Sequence, residues 1–282
     1  AAARIAEYSE DPVAALDAAQ GGLGLPSQAD YQVVLAGTGV VVGDVAAVNS
    51  ALADADVVVG ASNLQSEVRA VVEAYNAVLA AADGLDDDDV ISVEQLSEIG
   101  VDQISSDVDM ASLLFDVIEQ REAVDVATTA DLQALSDAVR ALEDTIANGV
   151  AATVPVTAPQ LALLGVVGAT DDNIDAIQIT LSEGASADYK SLSALQARVT
   201  TTVTALDKLT HHSVLDADAA NNPVLQDYLD AGIAGVGDTA GDDNLLAVNA
   251  QLRLVALTVD KNSAAEIQAL VTAGNAALSY LT

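Results

Sequence analysis

Four stretches of this chain carry the same ordered set of residues, and that repetition constrains the fold more than any other feature. Asp44, Asp107, Asn173 and Asn244 hold equivalent places 63, 66 and 71 residues apart, each followed directly by an apolar residue. Gly37, Gly100, Gly165 and Gly232 stand shortly before them. A glycine in that position predicts a helix C-terminus closed by a left-handed residue. The fullest copy runs Asp227-Tyr228-Leu229-Asp230-Ala231-Gly232-Ile233-Ala234-Gly235-Val236, then Asn244 to Leu252, then Glu266 to Val271. Small units repeated in this way complete their burial by stacking on their neighbours.

Within each unit the apolar spacing is helical. Val45, Val48 and Leu52 recur at three and four residues, and Leu64, Val68, Val71, Val72, Tyr75, Val78 and Leu79 form one stripe. Ser62 or Asn63 would cap that second helix, Glu67 suits its first turn, and Asp83-Gly84 would stop it. The second unit predicts a long helix from Asp131 through Leu142 and Ile146, capped by Thr128 or Thr129 and ended by Asn148-Gly149. In the third, Leu192, Leu195, Val199, Val203 and Leu206 mark the stripe, although Thr200, Thr201, Thr202 and Thr204 lower helix propensity. Val57 to Val59 would suit a strand, but period-two alternation is rare, so β-rich modules are the lesser alternative. The expectation is an all-α fold of tandem three-helix modules in an elongated array. Residues 1–26 would be an N-terminal helix and linker, with Pro12 at a first helical position, and the modules would span 27–89, 90–156, 157–222 and 223–282.

The composition sets the character of the core and of the partners. Half the residues are apolar, yet the chain holds one Phe, one Met and no Trp. Burial then comes from many thin contacts worth about 25 cal/mol per Å². Acidic residues number 43 against 9 basic ones, a net charge of −34. Binding to nucleic acid depends on Lys and Arg, so nucleic acid is not expected as a partner, and anionic membrane surfaces are disfavoured for the same reason. Self-repulsion of this size points to a salty or calcium-containing exterior. There is no Cys, hence no disulfide framework, and no apolar run reaches the ~18 residues of a membrane span. The start at Ala1-Ala2-Ala3, without Met, leads to the expectation of a processed chain or a piece of a longer one.

No motif for catalysis emerges, and the expectation is a protein that is not an enzyme. Asp83, Asp86, Asp87, Asp88 and Asp89 put five carboxylates within seven residues, the best candidate for a divalent cation such as calcium. They lack the spacing of an EF-hand loop, and a solvated charged junction is the favoured reading. His211-His212 with Asp216 and Asp218 offers metal ligands, but neighbours on a helix point about 100° apart. An exposed helix end with His assisting the dipole is favoured there. No G-x-S-x-G, P-loop or dinucleotide pattern occurs. Tyr31, Tyr75, Tyr189 and Tyr228 are expected to pack in the core with their hydroxyls at the surface.

The pieces Asp-Tyr-x-x-x-Gly-Ile-x-Gly-Val, Asn-Leu-x-Ala-Val-Asn and Glu-Ile-Gln-Ala-Leu-Val, from 227–236, 244–249 and 266–271, resemble repeats of giant secreted bacterial surface proteins. These are the RTX-type and large biofilm-associated adhesins. Asp30-Tyr31, Val45 to Asn49 and Glu67 to Leu79 share the likeness, and the second unit is the most divergent, with Met110-Ala111-Ser112. The resemblance implies export to the cell surface and a structural repeat, spacer or assembly role, with other copies of itself or flanking repeats as partners. The alternative is a module of such a protein that binds a sugar or another protein. The glycine-rich Asp nonapeptides that hold calcium in RTX tails are absent. The insertion from Gly237 to Asp243 is peculiar to the last unit and is the place to expect a special contact.

Overall fold

The computed structural model describes residues 1–17, 21–54, 57, 59–60, 62–85, 91–212, 222–237, 244–255 and 263–279. Among them, fourteen α-helices and three short 3-10 turns carry the fold. The only β feature among the described residues is an isolated antiparallel bridge between Asp83 and Glu122. The β-rich alternative is thereby ruled out for them. Val57 and Val59 lie in non-helical chain, buried and tied down by the Ser9 hydroxyl, which donates to Val57 O and accepts from Val59 N.

Helices α1 (Ala2–Glu10) and α2 (Pro12–Leu16) open the chain, with Pro12 at the first position of α2 and Asp11 as its cap. The next helices come in a recurring order of short, medium and long. They are α3 (Gln28–Val34), α4 (Val45–Leu52) and α5 (Leu64–Ala81), then α6 (Val93–Glu98), α7 (Val108–Glu119) and α8 (Thr129–Asn148). After these come α9 (Ala158–Leu164), α10 (Ile174–Ser182) and α11 (Leu192–His211), then α12 (Leu225–Asp230), α13 (Leu245–Leu254) and α14 (Ala264–Ser279). The chain divides into two compact units, Ala1–Arg140 and Ala141–Thr282, the boundary falling within α8.

Side chains at the helix starts account for this order. Asp44 and Asp107 each accept two backbone N–H groups at the N-termini of α4 and α7. Asn173 and Asn244 cap α10 and α13 by position, and spend their amides on the loops just before them. The short helices begin on reciprocal caps: Ser27 with Asp30, Ser92 with Gln95, Thr157 with Gln160. Val224 N–H donates to Asp227 in the same way. Gly37, Gly100, Gly165 and Gly232 follow the short helices, all at positive φ. After three of them the next N–H closes on the carbonyl five residues back: Val101 to Leu96, Val166 to Leu161, Ile233 to Tyr228.

In the first unit the core gathers Tyr31, Leu52, Val68, Val72, Tyr75, Leu96, Met110, Leu113 and Leu114. In the second, Tyr228, Ala231 and Ile233 pack with Ala205, Leu206, Leu209, Val248, Leu252, Ile267 and Val271 as one cluster. The α11 stripe departs from expectation. Val203 is half-exposed and Thr202 is buried, its hydroxyl 2.8 Å from that of Thr180. Leu195, Val199, Thr202, Leu206 and Leu209 keep the helical period, so the register chose Thr over its more apolar neighbour. The Thr180 hydroxyl in turn donates to Ile177 O, which satisfies a pair that would otherwise be costly to bury.

Candidate functional site

Asp83 follows α5 and accepts Leu85 N–H, while Gly84 N–H donates to Glu119 O. Asp86, Asp87, Asp88 and Asp89 lie outside the described residues, as do Asp216, Asp218 and most of the Gly237 to Asp243 insertion. Among the described residues no three His, Cys, Asp or Glu side chains gather closely enough to hold a metal ion.

The two histidines separate. His211 is exposed at the end of α11, where its Nδ1 lies 3.0 Å from Asp207 Oδ1, one turn back. His212 is buried, contrary to the exposed helix end expected for both. The chain leaves the helix at His212 with extended backbone.

The tyrosines also correct an expectation. Tyr31, Tyr75, Tyr189 and Tyr228 are all buried, and their hydroxyls point inward. Tyr31 donates to Asn49 Oδ1 at 2.5 Å and Tyr228 to Asn249 Oδ1 at 2.6 Å. The two Asn side chains then donate to Pro26 O and Pro223 O. Gln178 Nε2 makes the corresponding bond to Val156 O without a tyrosine, since Leu161 takes that place. Burial raises the pKa of all four phenols, so they stay neutral donors.

A second polar device lies on the long helices. Gln133, Gln196 and Gln268 each clasp one backbone residue, Asp102, Val167 and Ala234, accepting its N–H and donating to its carbonyl. A single side-chain amide thus replaces a strand-like pairing for the segment just after each glycine. On α5, Gln65 donates instead to Val34 O and Ala36 O. Gln268 lies in the Glu266 to Val271 block, and the recurrence of Gln near the start of the long helices, at Gln133 and Gln196, is the sequence signal for this clasp.

The surface groove beside α11 is lined by Glu183, Asp188, Tyr189 and Arg198. Arg198 gives two bonds to Thr180 O and one to Glu183, so its guanidinium serves the turn after α10. What the described residues define is a class by architecture: an all-α protein whose buried polar side chains hold backbone and neighbouring helices in place. Compared with known proteins, the chain matches no family model, no curated protein and no solved structure.

Proposed function

We propose that this chain is a structural segment of an extracellular bacterial surface adhesin or cell-surface filament, built from four three-helix units and serving as spacer or assembly region. The observation that carries the reading is the fourfold return of short, medium and long helices, with Asp or Asn at the start of the second and a positive-φ glycine before it. Repetition, with no metal-holding cluster gathered among the described residues, suits a mechanical role, in which stacked units give reach. The charge of −34 suits a saline exterior, where it keeps the surface soluble and makes stiffness depend on ions. The described tyrosines are buried, which leaves little aromatic surface for a sugar-binding groove. Antibodies raised against the chain should label intact, unpermeabilised cells of the source organism. Labelling only after lysis would sink the proposal.

A further inference from the structure

Two of the four short helices differ from the others in a correlated way. In α3 and α12 the third residue is an acid, Asp30 and Asp227, followed by a buried tyrosine bonded to Asn49 or Asn249. In α6 and α9 the same places hold Gln95-Leu96 and Gln160-Leu161. Each acid takes a cation from a helix packed beside it. Arg4 of α1 reaches Asp30 Oδ2 at 2.6 Å, and Lys208 of α11 reaches Asp227 Oδ2 at 2.6 Å. The residues after these cations, Ile5 and Leu209, are fully buried, and four positions after the cations Tyr8 and His212 are buried too. Counted from the shared apolar positions Val68, Leu132 and Leu195, the place of Lys208 is held by Ala81 in α5 and Thr145 in α8. Neither is charged, and those two helices precede the Gln-Leu short helices. With only 9 basic residues in the chain, the use of two at these acids is informative.

We infer that Asp30-Tyr31-Asn49 and Asp227-Tyr228-Asn249 form one kind of docking socket, which selects a helix end bearing a cation followed directly by a large aliphatic residue. Helix α1 fills the first socket as the end of α11 fills the second, so the two inserts are interchangeable. Selection is electrostatic: the Ala1 ammonium, 3.4 Å from Asp30 Oδ1, is common to any insert at the chain start, so the difference lies in the side-chain cation, whose loss penalises a part-buried carboxylate and which a neutral helix end lacks. The inference rests on reading the chain as related units, and it holds irrespective of where the protein resides.

The test is a transplant within the full chain. Residues 1–9 are replaced by the sequence of residues 205–213 in one chimera and by that of residues 142–150, the neutral counterpart from α8, in the other. Amide exchange protection of residues 27–35 is then compared with the parent. The first chimera should keep parental protection, and the second should lose about tenfold or more. Equal protection in both, or loss in both, overturns the inference. A double-mutant cycle provides an independent reading. Arg4→Ala should lower protection about tenfold in the parent and leave it unchanged in an Asp30→Gln background, whereas equal losses in the two backgrounds would also overturn it. Surface labelling of cells is unaffected by either result, so failure of the socket is distinguishable from failure of the proposed location.

Discussion

Tyr228 donates its hydroxyl hydrogen to Asn249 Oδ1 across 2.6 Å, inside the same cluster that holds Leu206, Ile233 and Ile267. Asn249 passes its own amide hydrogen to Pro223 O at 2.8 Å, so the link joins α12, α13 and the segment before α12. Tyr228→Phe would leave the Asn249 oxygen buried without its donor and should cost about 1–3 kcal/mol in urea unfolding of the full chain. Tyr31→Phe should cost a similar amount through Asn49. A neutral outcome for both would mean that the pair contributes packing alone.

Glycines at the ends of the short helices differ in what surrounds them. An added Cβ at Gly232 would lie 2.8 Å from Ile179 Cγ2, and one at Gly100 would lie 2.9 Å from Asp54 Cγ, whereas Gly37 faces open space. All three have positive φ, which alone costs a non-glycine residue about 1–2 kcal/mol. Gly232→Ala and Gly100→Ala should therefore destabilise by about 1–3 kcal/mol more than Gly37→Ala, because they add overpacking. Thermal melts of the three variants would rank them.

The glutamine clasps are more exposed, so their loss should be milder and local. Gln268→Ala removes one bond to Ala234 N–H and one to its carbonyl. The expected cost is about 0.5–1.5 kcal/mol, since water replaces part of what is lost. Faster hydrogen exchange at Ala234 with little change at Val248 would mark the effect as local.

Asp30 provides a pH signature. The Ser27 hydroxyl, chiefly, with Ser27 N–H and Arg4 adding to it, holds the Asp30 carboxyl well below the usual carboxylate range, against the opposing effect of burial. A folded pKa depressed below the unfolded value of about 3.9 stabilises the fold above that pH, and the contribution is lost as pH falls toward the folded pKa. The stability difference between the parent and Asp30→Asn should be level above about pH 5 and shrink below about pH 4. Taking the difference removes the general gain that the other acids produce by losing their charge.

That general repulsion has its own test. With 43 acidic against 9 basic residues, raising NaCl from about 0.1 M to about 1 M shortens the Debye length from about 10 Å to about 3 Å. The melting temperature should rise over that range, and CaCl₂ should act at lower concentration. A flat response would separate stability from surface charge.

The helices were legible because their signals are local. Apolar residues at Val68, Val72 and Tyr75, and caps such as Asp44 and Asp107, depend on neighbours a few positions away. The glycine turns were legible for the same reason. What escaped was long-range. Nothing near Arg4 in sequence indicates Asp30, and nothing near Gln268 indicates Ala234. Asp86 to Asp89, the core of the candidate cation site, lie outside the described residues.

By itself the sequence determined the element types, their order and their ends, since periodicity, capping and left-handed glycines act within one or two turns. Only the tertiary structure decided which polar groups went inside. It buried Thr202 in place of Val203 and turned the Tyr31 and Tyr228 hydroxyls inward to Asn49 and Asn249. The physical reason is that a buried polar atom is tolerated only where a partner meets it, and such partners come from other helices.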